Sequence, residues 1–442
     1  MAIAQAGKDR MTNRGKTNGV ETFVRFCLFS LLIFTPLARG SVQGWAVTVI
    51  HLVTLAALAA FFMDKISKWA WKSAWIGTTL DRPILLLSII VVISTVFSLH
   101  RPTSAWSSLL FFDYIAWFYL TVQVIHRRTH LKQLIFLVLA VGVFLSVLGI
   151  LKKFGVNPFP WWNYEDLRYS PDLVSSTFGN HNHFAGYLEM VIPLGLGLFL
   201  SRMSRVSALF LLFAVAFMTS AWILTLSRGG WASLTAGLLV MVILFVKDVF
   251  FVRKKIVVAL FCLFLLTFVA LLASTPVVER IQSLEQKQEV STLKDRTTAW
   301  KGIYRMIQDH PAMGTGPGTF GTVFVQYQPP GFPFRYFNAH NDYLQFTAET
   351  GLLVLPVIAW MLLVQLSAGM RRLKHQSGLI RGAALGSLAG LSALLVHSFF
   401  DFNLHIPANA LLFAVIAAIV HVRMTRSKEK KREAAENVRK AD

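Results

Sequence analysis

The segment 339–351 carries the residue types best suited to chemistry in this chain. His340, Asn341 and Asp342 stand directly before a long apolar run, and Glu349 lies two residues before Gly351. Polar and ionisable side chains beside a bilayer are costly, so they persist mainly where they bind or react with something. An imidazole takes up a proton near neutral pH, which is what an attacking hydroxyl must lose. His340 is therefore the main candidate for catalysis, against the alternative of a satisfied interfacial histidine.

Two arginines are candidates for binding phosphate. Arg228 lies in the short polar interval 227–231, and Arg296 lies in the polar segment 295–300. A guanidinium is a planar, always charged fork of donors that matches phosphate oxygens, and the glycines that follow Arg228 permit close approach of a head group. The alternatives are an arginine that reaches lipid phosphate at 228 and a solvated surface helix around 296.

Further polar residues flank other apolar runs. Asn180, His181 and His183 precede one of them, and Asp401 follows another. The first group is expected to contact sugar hydroxyls or to start a helix, and no Glu or Cys stands at the spacing of a zinc enzyme, so no metal is predicted. Asp401 either orients a histidine, binds a sugar or caps the next helix.

Residues next to His340 and a glycine-rich turn complete the candidates. Asn341, Asp342 and Tyr343 adjoin His340 and are predicted to bind substrate. The glycine-rich segment 314–318 lacks the Gly-Lys-Ser/Thr ending of a phosphate loop and follows no strand, so a nucleotide site is not favoured. We predict that it forms a turn that shapes the large outer loop. No cofactor is expected.

Composition indicates an all-α protein that crosses a membrane many times. Of the 442 residues, 55% are hydrophobic and only 15% are charged, which excludes an ordinary soluble domain. Apolar runs recur at about the 20 residues that span a bilayer, and strand alternation is absent. We predict twelve transmembrane helices at approximately 23–38, 44–63, 82–99, 105–125, 133–151, 183–201, 207–226, 231–248, 256–273, 343–366, 382–400 and 407–423.

The distribution of charge predicts the orientation of these helices. The formal net charge is +21, but the basic residues are spread over the even-numbered connections and both chain ends. Such connections are typically cytoplasmic, so both termini are predicted to be cytoplasmic and no nucleic acid is expected as a partner. Lys65, Arg127, Arg202, Lys247 and Arg371 illustrate the pattern.

This orientation divides the chain into five segments. Residues 1–22 form a cytoplasmic tail, 23–273 hold the first nine spans with an outer loop at 152–182, and 274–342 form a large outer loop. Residues 343–423 hold the last three spans, and 424–442 form a basic cytoplasmic tail next to membrane lipid. The large loop is expected to carry short helices, with a helical piece at 277–309, because a structureless loop of this length is unusual.

The polar motifs together resemble the O-antigen ligase and O-antigen polymerase superfamily of bacterial membrane glycosyltransferases. The ligase pattern is His, then Asn, Ser or Gln, nine residues, Gly, two residues, and Gly, Thr or Tyr. His340, Asn341 and Gly351 match it, and Val354 departs from it at the last position. The runs 176–187, 309–311 and 401–405 are also similar to this superfamily, so the resemblance covers about 170–410.

The resemblance implies a GT-C-like helical fold and a donor glycan linked to undecaprenyl diphosphate. It implies that Arg228 and Arg296 hold the diphosphate and that His340 activates the acceptor hydroxyl. It further implies an inverting, metal-independent transferase whose active site faces the periplasm from the inner membrane.

The leading hypothesis is therefore an O-antigen ligase that transfers polysaccharide to a lipid A-core sugar. A polymerase of repeat units, or a ligase that uses a protein Ser or Thr, is the alternative within the class, and the departure at Val354 leaves these open. A membrane transporter and a non-catalytic scaffold are the alternatives from other classes; a transporter would place paired charges near the middle of the membrane.

Overall fold

All regular structure in the described residues is helical. The computed structural model describes residues 19–67, 76–159, 173–201, 204–246, 290–328 and 335–424, with the side chains of 246 and 290–296 left out. Within these ranges there is no β-strand. The predicted fold class, an all-α polytopic membrane protein, is confirmed.

Fourteen α-helices follow one another in the described residues. The first eight are α1 Gly19–Leu37, α2 Gly44–Ser67, α3 Asp81–Val96, α4 Arg101–Val124, α5 Arg128–Lys153, α6 His181–Phe199, α7 Arg205–Ile223 and α8 Arg228–Val246. The remaining six are α9 Val290–Asp309, α10 Phe320–Val323, α11 Asp342–Thr350, α12 Val354–Leu373, α13 Gly378–His397 and α14 Pro407–Ile419. Short 3₁₀ helices stand at Arg39–Ser41, Phe324–Gln326 and Asn403–His405.

Eight of these helices are long and apolar enough to cross a membrane. They are α1, α2, α4, α5, α7, α8, α12 and α13. Of the other predicted runs, α3 has 16 residues and α14 has 13, whereas α6 is buried within the protein along almost its whole length. The predicted ninth run, 256–273, lies outside the described residues, as do both terminal tails up to residue 18 and from residue 425.

The bundle is centred on α6 and α13, whose backbones touch. Small residues at the contact allow this, because lipid supplies no hydrophobic force between helices and close van der Waals packing must hold them together. A Cβ atom at Gly197 would overlap the carbonyl oxygen of Gly382, and one at Gly386 would lie 2.6 Å from the carbonyl oxygen of Pro193. Helix α8 joins this centre through Gly237, where a Cβ atom would lie 2.6 Å from the carbonyl oxygen of Ala389.

The basic connections and the polar motifs lie at opposite ends of the bundle. At one end, Arg25 near the start of α1 donates to the carbonyl oxygen of Val124 at the end of α4, and Arg423 after α14 donates to that of Gly77 before α3. At the other end, the N–H of Leu99 after α3 donates to the carbonyl oxygen of Thr315 in the large loop. The arrangement agrees with the alternation expected from the positive charges.

The predicted run 343–366 is divided into two helices. Helix α11 ends at Thr350, Gly351 adopts φ 85°, and α12 begins at Val354. A Cβ atom at Gly351 would overlap the carbonyl oxygen of Ala312, so the large loop occupies the break. The motif segment therefore forms its own short helix on the loop side and does not open a transmembrane span. In the predicted helical piece 277–309, α9 begins at Val290, and 277–289 lie outside the described residues.

The contact between α6 and α13 yields a prediction about stability. We expect Gly197→Val to destabilise the protein by about 1–3 kcal/mol or more, because the added side chain meets backbone that cannot move aside. Thermal unfolding in detergent measures the effect. Gly44→Ala is the matched control, since a Cβ atom there meets nothing within 4 Å. Equal melting temperatures for the two variants would show that the helices do not need this contact.

Candidate active site

His340 is held in an unusual backbone conformation beside a buried carboxylate. Its φ is 48°, a region that non-glycine residues rarely adopt and that often marks functional positions. Its Nδ1 lies 3.2 Å from Oδ1 of Asp401, and its ring packs edge-on against Phe402. The side chain is 29% exposed, and no described residue pairs with Nε2. One ring nitrogen is thus anchored and the other is left for a substrate.

Asp401 is shared between two imidazoles. It is buried, and its Oδ1 also accepts from the N–H of Phe402 at 2.8 Å. His183 Nε2 lies 4.0 Å from the same oxygen, and the His183 ring also packs edge-on against Phe402. Asn180 caps α6 by accepting from the N–H of Asn182, and its Nδ2 lies 3.4 Å from His183 Nε2. These residues form one polar cluster with His340.

His181 opens α6 and is half-buried, so it lies at the edge of this cluster. Arg39 also belongs here, although the sequence analysis did not single it out. A Cβ atom at Gly179 would lie 3.3 Å from Arg39 Nε, and residues 39–41 all have positive φ. The signal in the sequence is a basic residue directly after the first apolar run, on the side where the alternation predicts few basic residues.

Arg228 is the first residue of α8 and is exposed. The N-terminus of a helix carries a partial positive charge, which favours an anion at this position. In the first turn of α8, the N–H of Gly230 donates to Ser227 Oγ at 3.1 Å. Behind it lies a buried pair, in which His397 Nδ1 is 3.0 Å from Glu189 Oε2. A Cβ atom at Gly229 would lie 3.2 Å from His397 Nε2, and one at Gly230 would lie 2.8 Å from Glu189 Oε1. The two glycines therefore bring the arginine close to this pair.

The segment 397–401 connects Arg228 to His340. At its start, His397 contacts Gly229, and Phe400 lies 3.3 Å from a Cβ atom at the same glycine. At its end, Asp401 binds His340. The predicted phosphate ligand and the predicted base therefore lie on two sides of one short stretch of chain.

Asp342 is held by other groups of the protein, and its role in binding substrate stays a prediction. It is 1% exposed, and its carboxylate accepts from Ser398 Oγ at 2.7 Å, from the N–H of Leu404 at 3.1 Å and from His405 Nδ1 at 2.6 Å. Both of its carboxylate oxygens are thus engaged inside the protein. It fastens the start of α11 to the connection between α13 and α14.

Asn341 and Tyr343 are engaged in the same way. Asn341 caps α11 by accepting from the N–H of Leu344, and its Nδ2 donates to the carbonyl oxygen of Phe399 at 3.2 Å. The Tyr343 hydroxyl donates to the carbonyl oxygen of Leu395 at 2.8 Å. Burial, with a smaller contribution from the charge of Asp342, raises the pKa of Tyr343 to about 12, so it stays neutral. Both residues therefore fix the chain next to His340, and their contact with substrate stays a prediction.

The glycine-rich turn 314–318 binds a carboxylate of the protein itself. Glu349 is buried, its Oε2 accepts from the N–H of Gly318 at 2.8 Å, and its Oε1 accepts from that of Phe320 at 3.1 Å. The N–H of Gly316 donates to the Glu349 carbonyl oxygen at 2.8 Å. The turn thus packs against the end of α11, in agreement with the prediction that it shapes the outer loop.

Arg296 lies in α9, and its side chain is outside the described part of the structure. The backbone places it one turn before Trp300, whose Nε1 donates to the carbonyl oxygen of Ala339 at 3.2 Å. Its helix is therefore attached to the residue before His340. Across the described residues, no group of three or more His, Cys, Asp and Glu side chains is arranged to hold a metal ion.

The Asp342–His405 pair yields a prediction about pH. Burial alone would lower the pKa of His405, but its hydrogen bond to Asp342 and the charges of Asp342 and Glu349 raise it above its ordinary value. The stability from this pair is present below the unfolded pKa of about 6.5 and is lost as the pH rises through the higher folded pKa. We expect melting temperature to fall with pH over that window, and less steeply in His405→Gln.

The control for this experiment is His100→Gln, at an exposed position outside the pair. It should keep the slope of the unchanged protein. If the slope of His405→Gln equals that of the control, the pair does not titrate as the structure implies.

The central part of this arrangement matches a known protein family. No curated protein matches the chain. Residues 190–359, less than half of the chain, match the family described as O-antigen ligase. The match runs from α6 to α12 and includes Arg228, Arg296 and His340, whereas the Asn180–His183 cluster and Asp401 lie on either side of it. The resemblance seen in the sequence is thereby confirmed: residues 190–359 are similar to the O-antigen ligase family.

Proposed function

We propose that the protein transfers a glycan from an undecaprenyl-diphosphate carrier to a hydroxyl of a lipid A-core sugar. Family membership implies a glycosyltransferase-like membrane enzyme of the O-antigen ligase or polymerase type, acting on polysaccharide and lipid-linked substrates. The observation that carries the finer proposal is the His340–Asp401 pair beside an exposed arginine at the start of α8. In this proposal, that end of the bundle faces the periplasm from the bacterial inner membrane, and both termini are cytoplasmic.

His340 acts on the acceptor. The carboxylate of Asp401 accepts from Nδ1–H and so leaves Nε2 as the basic nitrogen. Nε2 takes the proton of the acceptor hydroxyl while the hydroxyl oxygen forms a bond to the anomeric carbon of the donor. The bond from that carbon to the diphosphate oxygen breaks, and its electron pair leaves with the lipid diphosphate. Attack from the opposite face inverts the anomeric centre.

Arg228 and Arg296 act on the donor. The leaving diphosphate gains negative charge as the glycosidic bond breaks, and fixed cations placed at that point stabilise the transition state. Arg228 has the N-terminal end of α8 beside it, which adds oriented N–H groups to the guanidinium. The two arginines offset the two negative charges of the bound donor diphosphate and part of the charge that develops as it leaves. The resemblance implies that the proposed reaction uses no metal, and its donor is lipid-linked rather than a nucleotide sugar.

The buried Glu189–His397 pair supports the position of Arg228. Both side chains are almost wholly buried, and burying such a pair is costly unless its geometry is good. Trp222 Nε1 donates to Glu189 Oε1 at 3.4 Å, so the carboxylate has a second donor. The pair touches the two glycines after Arg228, and we assign it a positioning role rather than a catalytic one.

One observation favours a second function, transport through the bundle. His51 Nδ1 lies 2.5 Å from Asp113 Oδ2 between α2 and α4, so a pair of ionisable side chains stands between two helices long enough to span a membrane. Reconstituted vesicles decide this point. Flux of an anion or proton without glycan turnover would support a transporter, and its absence alongside glycan transfer would leave the enzyme.

The first test removes the two groups assigned to the reaction. We expect His340→Ala to lower transfer by roughly 10²–10⁴-fold, the usual contribution of a general base. We expect Arg228→Ala to lower it by roughly 10²–10³-fold, as for loss of one electrostatic donor. Transfer of polysaccharide to lipid A-core, in protein shown to be inserted in membranes, measures both.

Matched controls are available on the same face of the bundle. His100→Ala and Arg101→Ala remove an exposed histidine and an exposed arginine from the outer end of α3 and α4. Both should transfer normally. Near-normal polysaccharide-capped lipopolysaccharide in His340→Ala or Arg228→Ala would overturn the assignment.

The second test separates ligase from polymerase. Purified protein receives lipid-linked repeat units without lipid A-core, then with it, then with a Ser/Thr-containing acceptor protein instead. We expect no product without an acceptor and transfer only when lipid A-core is added. Chain growth on the carrier alone would identify a polymerase, and glycan on the protein would identify a protein ligase.

A further inference from the structure

We propose that one exposed face of α9 binds an anionic sugar of the acceptor glycan, a phosphorylated or carboxylated one. This inference rests on the proposed function and names the substrate class of its acceptor side. The face borders an open surface region of about 570 Å³, which we call the groove, and every residue that lines it belongs to α9. It is lined by Thr297, Trp300, Lys301, Tyr304, Arg305 and Gln308.

Helix α9 is amphipathic, and the groove lies on its outward face. Ala299, Ile303 and Met306 are buried against the aromatic residues of the 320–324 region and form a small core of the outer loop. Helical periodicity then directs the residues at 301, 304, 305 and 308 away from that core. Tyr304 is 63% exposed, so its ring is accessible to a ligand.

The groove combines rings with cations. Trp300 and Tyr304 lie one turn apart and present the flat, partly apolar surfaces on which the C–H face of a sugar ring packs. Lys301 and Arg305 lie one turn apart beside them, and both are exposed. No acidic residue stands among the six that line the groove. Phosphate or carboxylate is the chemistry that this charge complements.

The groove begins at the catalytic segment. Trp300 Nε1 donates to the carbonyl oxygen of Ala339, the residue directly before His340. A sugar bound along the groove therefore extends toward the histidine that is proposed to activate the acceptor hydroxyl. Arg228 lies at the other end of the segment 397–401, which contacts Gly229 at its start and His340 at its end. Arg296, assigned to the donor diphosphate, directly precedes Thr297 of the groove, so in this proposal donor and acceptor meet at this end of α9.

The test compares acceptors and variants in full-length protein reconstituted with lipid-linked donor. Lipid A-core is supplied with its phosphates and after enzymatic dephosphorylation. We expect Lys301→Ala/Arg305→Ala to raise KM for the phosphorylated acceptor by about tenfold or more. KM for the donor and kcat should not change, and the dephosphorylated acceptor should show the same high KM with either protein. Arg101→Ala removes an exposed cation from the start of α4, outside the groove, and should behave as wild type.

The aromatic part of the groove is tested by a matched pair. Tyr304→Ala should raise KM for both acceptors, because the packing surface is lost, and Tyr304→Phe should restore it, because the ring is kept. If neither pair of substitutions changes the KM of the acceptor, the groove does not bind it.

Other outcomes overturn the proposal in distinguishable ways. A change in donor KM alone would assign the groove to the donor glycan, and an effect that depends on the anionic lipid content of the vesicles would assign it to the membrane surface. If wild-type protein transfers nothing, the proposed function fails instead. Direct binding of phosphorylated core oligosaccharide, compared between wild type and the double variant by calorimetry, then decides the groove by itself.

Discussion

The structure around the candidate active site depends on one buried carboxylate, that of Glu349. Backbone N–H groups of the glycine-rich turn hold it, and its own carbonyl oxygen accepts from Gly316 and from Ser94 of α3 at 2.8 Å. The large outer loop, the short helix α11 and the membrane hairpin α3–α4 therefore meet at a single residue. Burying a carboxylate is tolerated because both of its oxygens accept hydrogen bonds.

Most polar side chains of the segment 339–351 form hydrogen bonds within the protein, and His340 keeps one ring nitrogen available for the proposed reaction. Asn341, Asp342 and Tyr343 use their polar groups on α11, α13 and the connection after it. His340 differs because only one ring nitrogen is engaged and its backbone is in a left-handed conformation. The surrounding hydrogen bonds over-determine this conformation, as strain at a functional site requires.

The sequence was sufficient to predict the fold class and the candidate residues but not their partners. Apolar runs of spanning length predict helices because every backbone group in lipid must be satisfied within the segment. The break at Gly351 escapes this reasoning, since it arises from the carbonyl oxygen of Ala312, far from any periodic signal. Likewise, the pairing of Asp342 with His405, 63 residues away, is tertiary and leaves no local pattern. Arg39 was missed because it belongs to no motif, and its contact with Gly179 is tertiary.

The division of the last long run at Gly351 has a consequence for which acceptors fit. His340 is fastened on one side through Asp342 to the start of α14 and on the other through α11 and Gly351 to the outer loop. It therefore stands at a set distance from the ends of the membrane helices. A lipid-anchored acceptor has its own fixed length between anchor and hydroxyl. In the proposed reaction, the distance between His340 and the membrane helices selects the acceptor. The sugar that receives the glycan is the one whose hydroxyl lies at that distance from its lipid anchor.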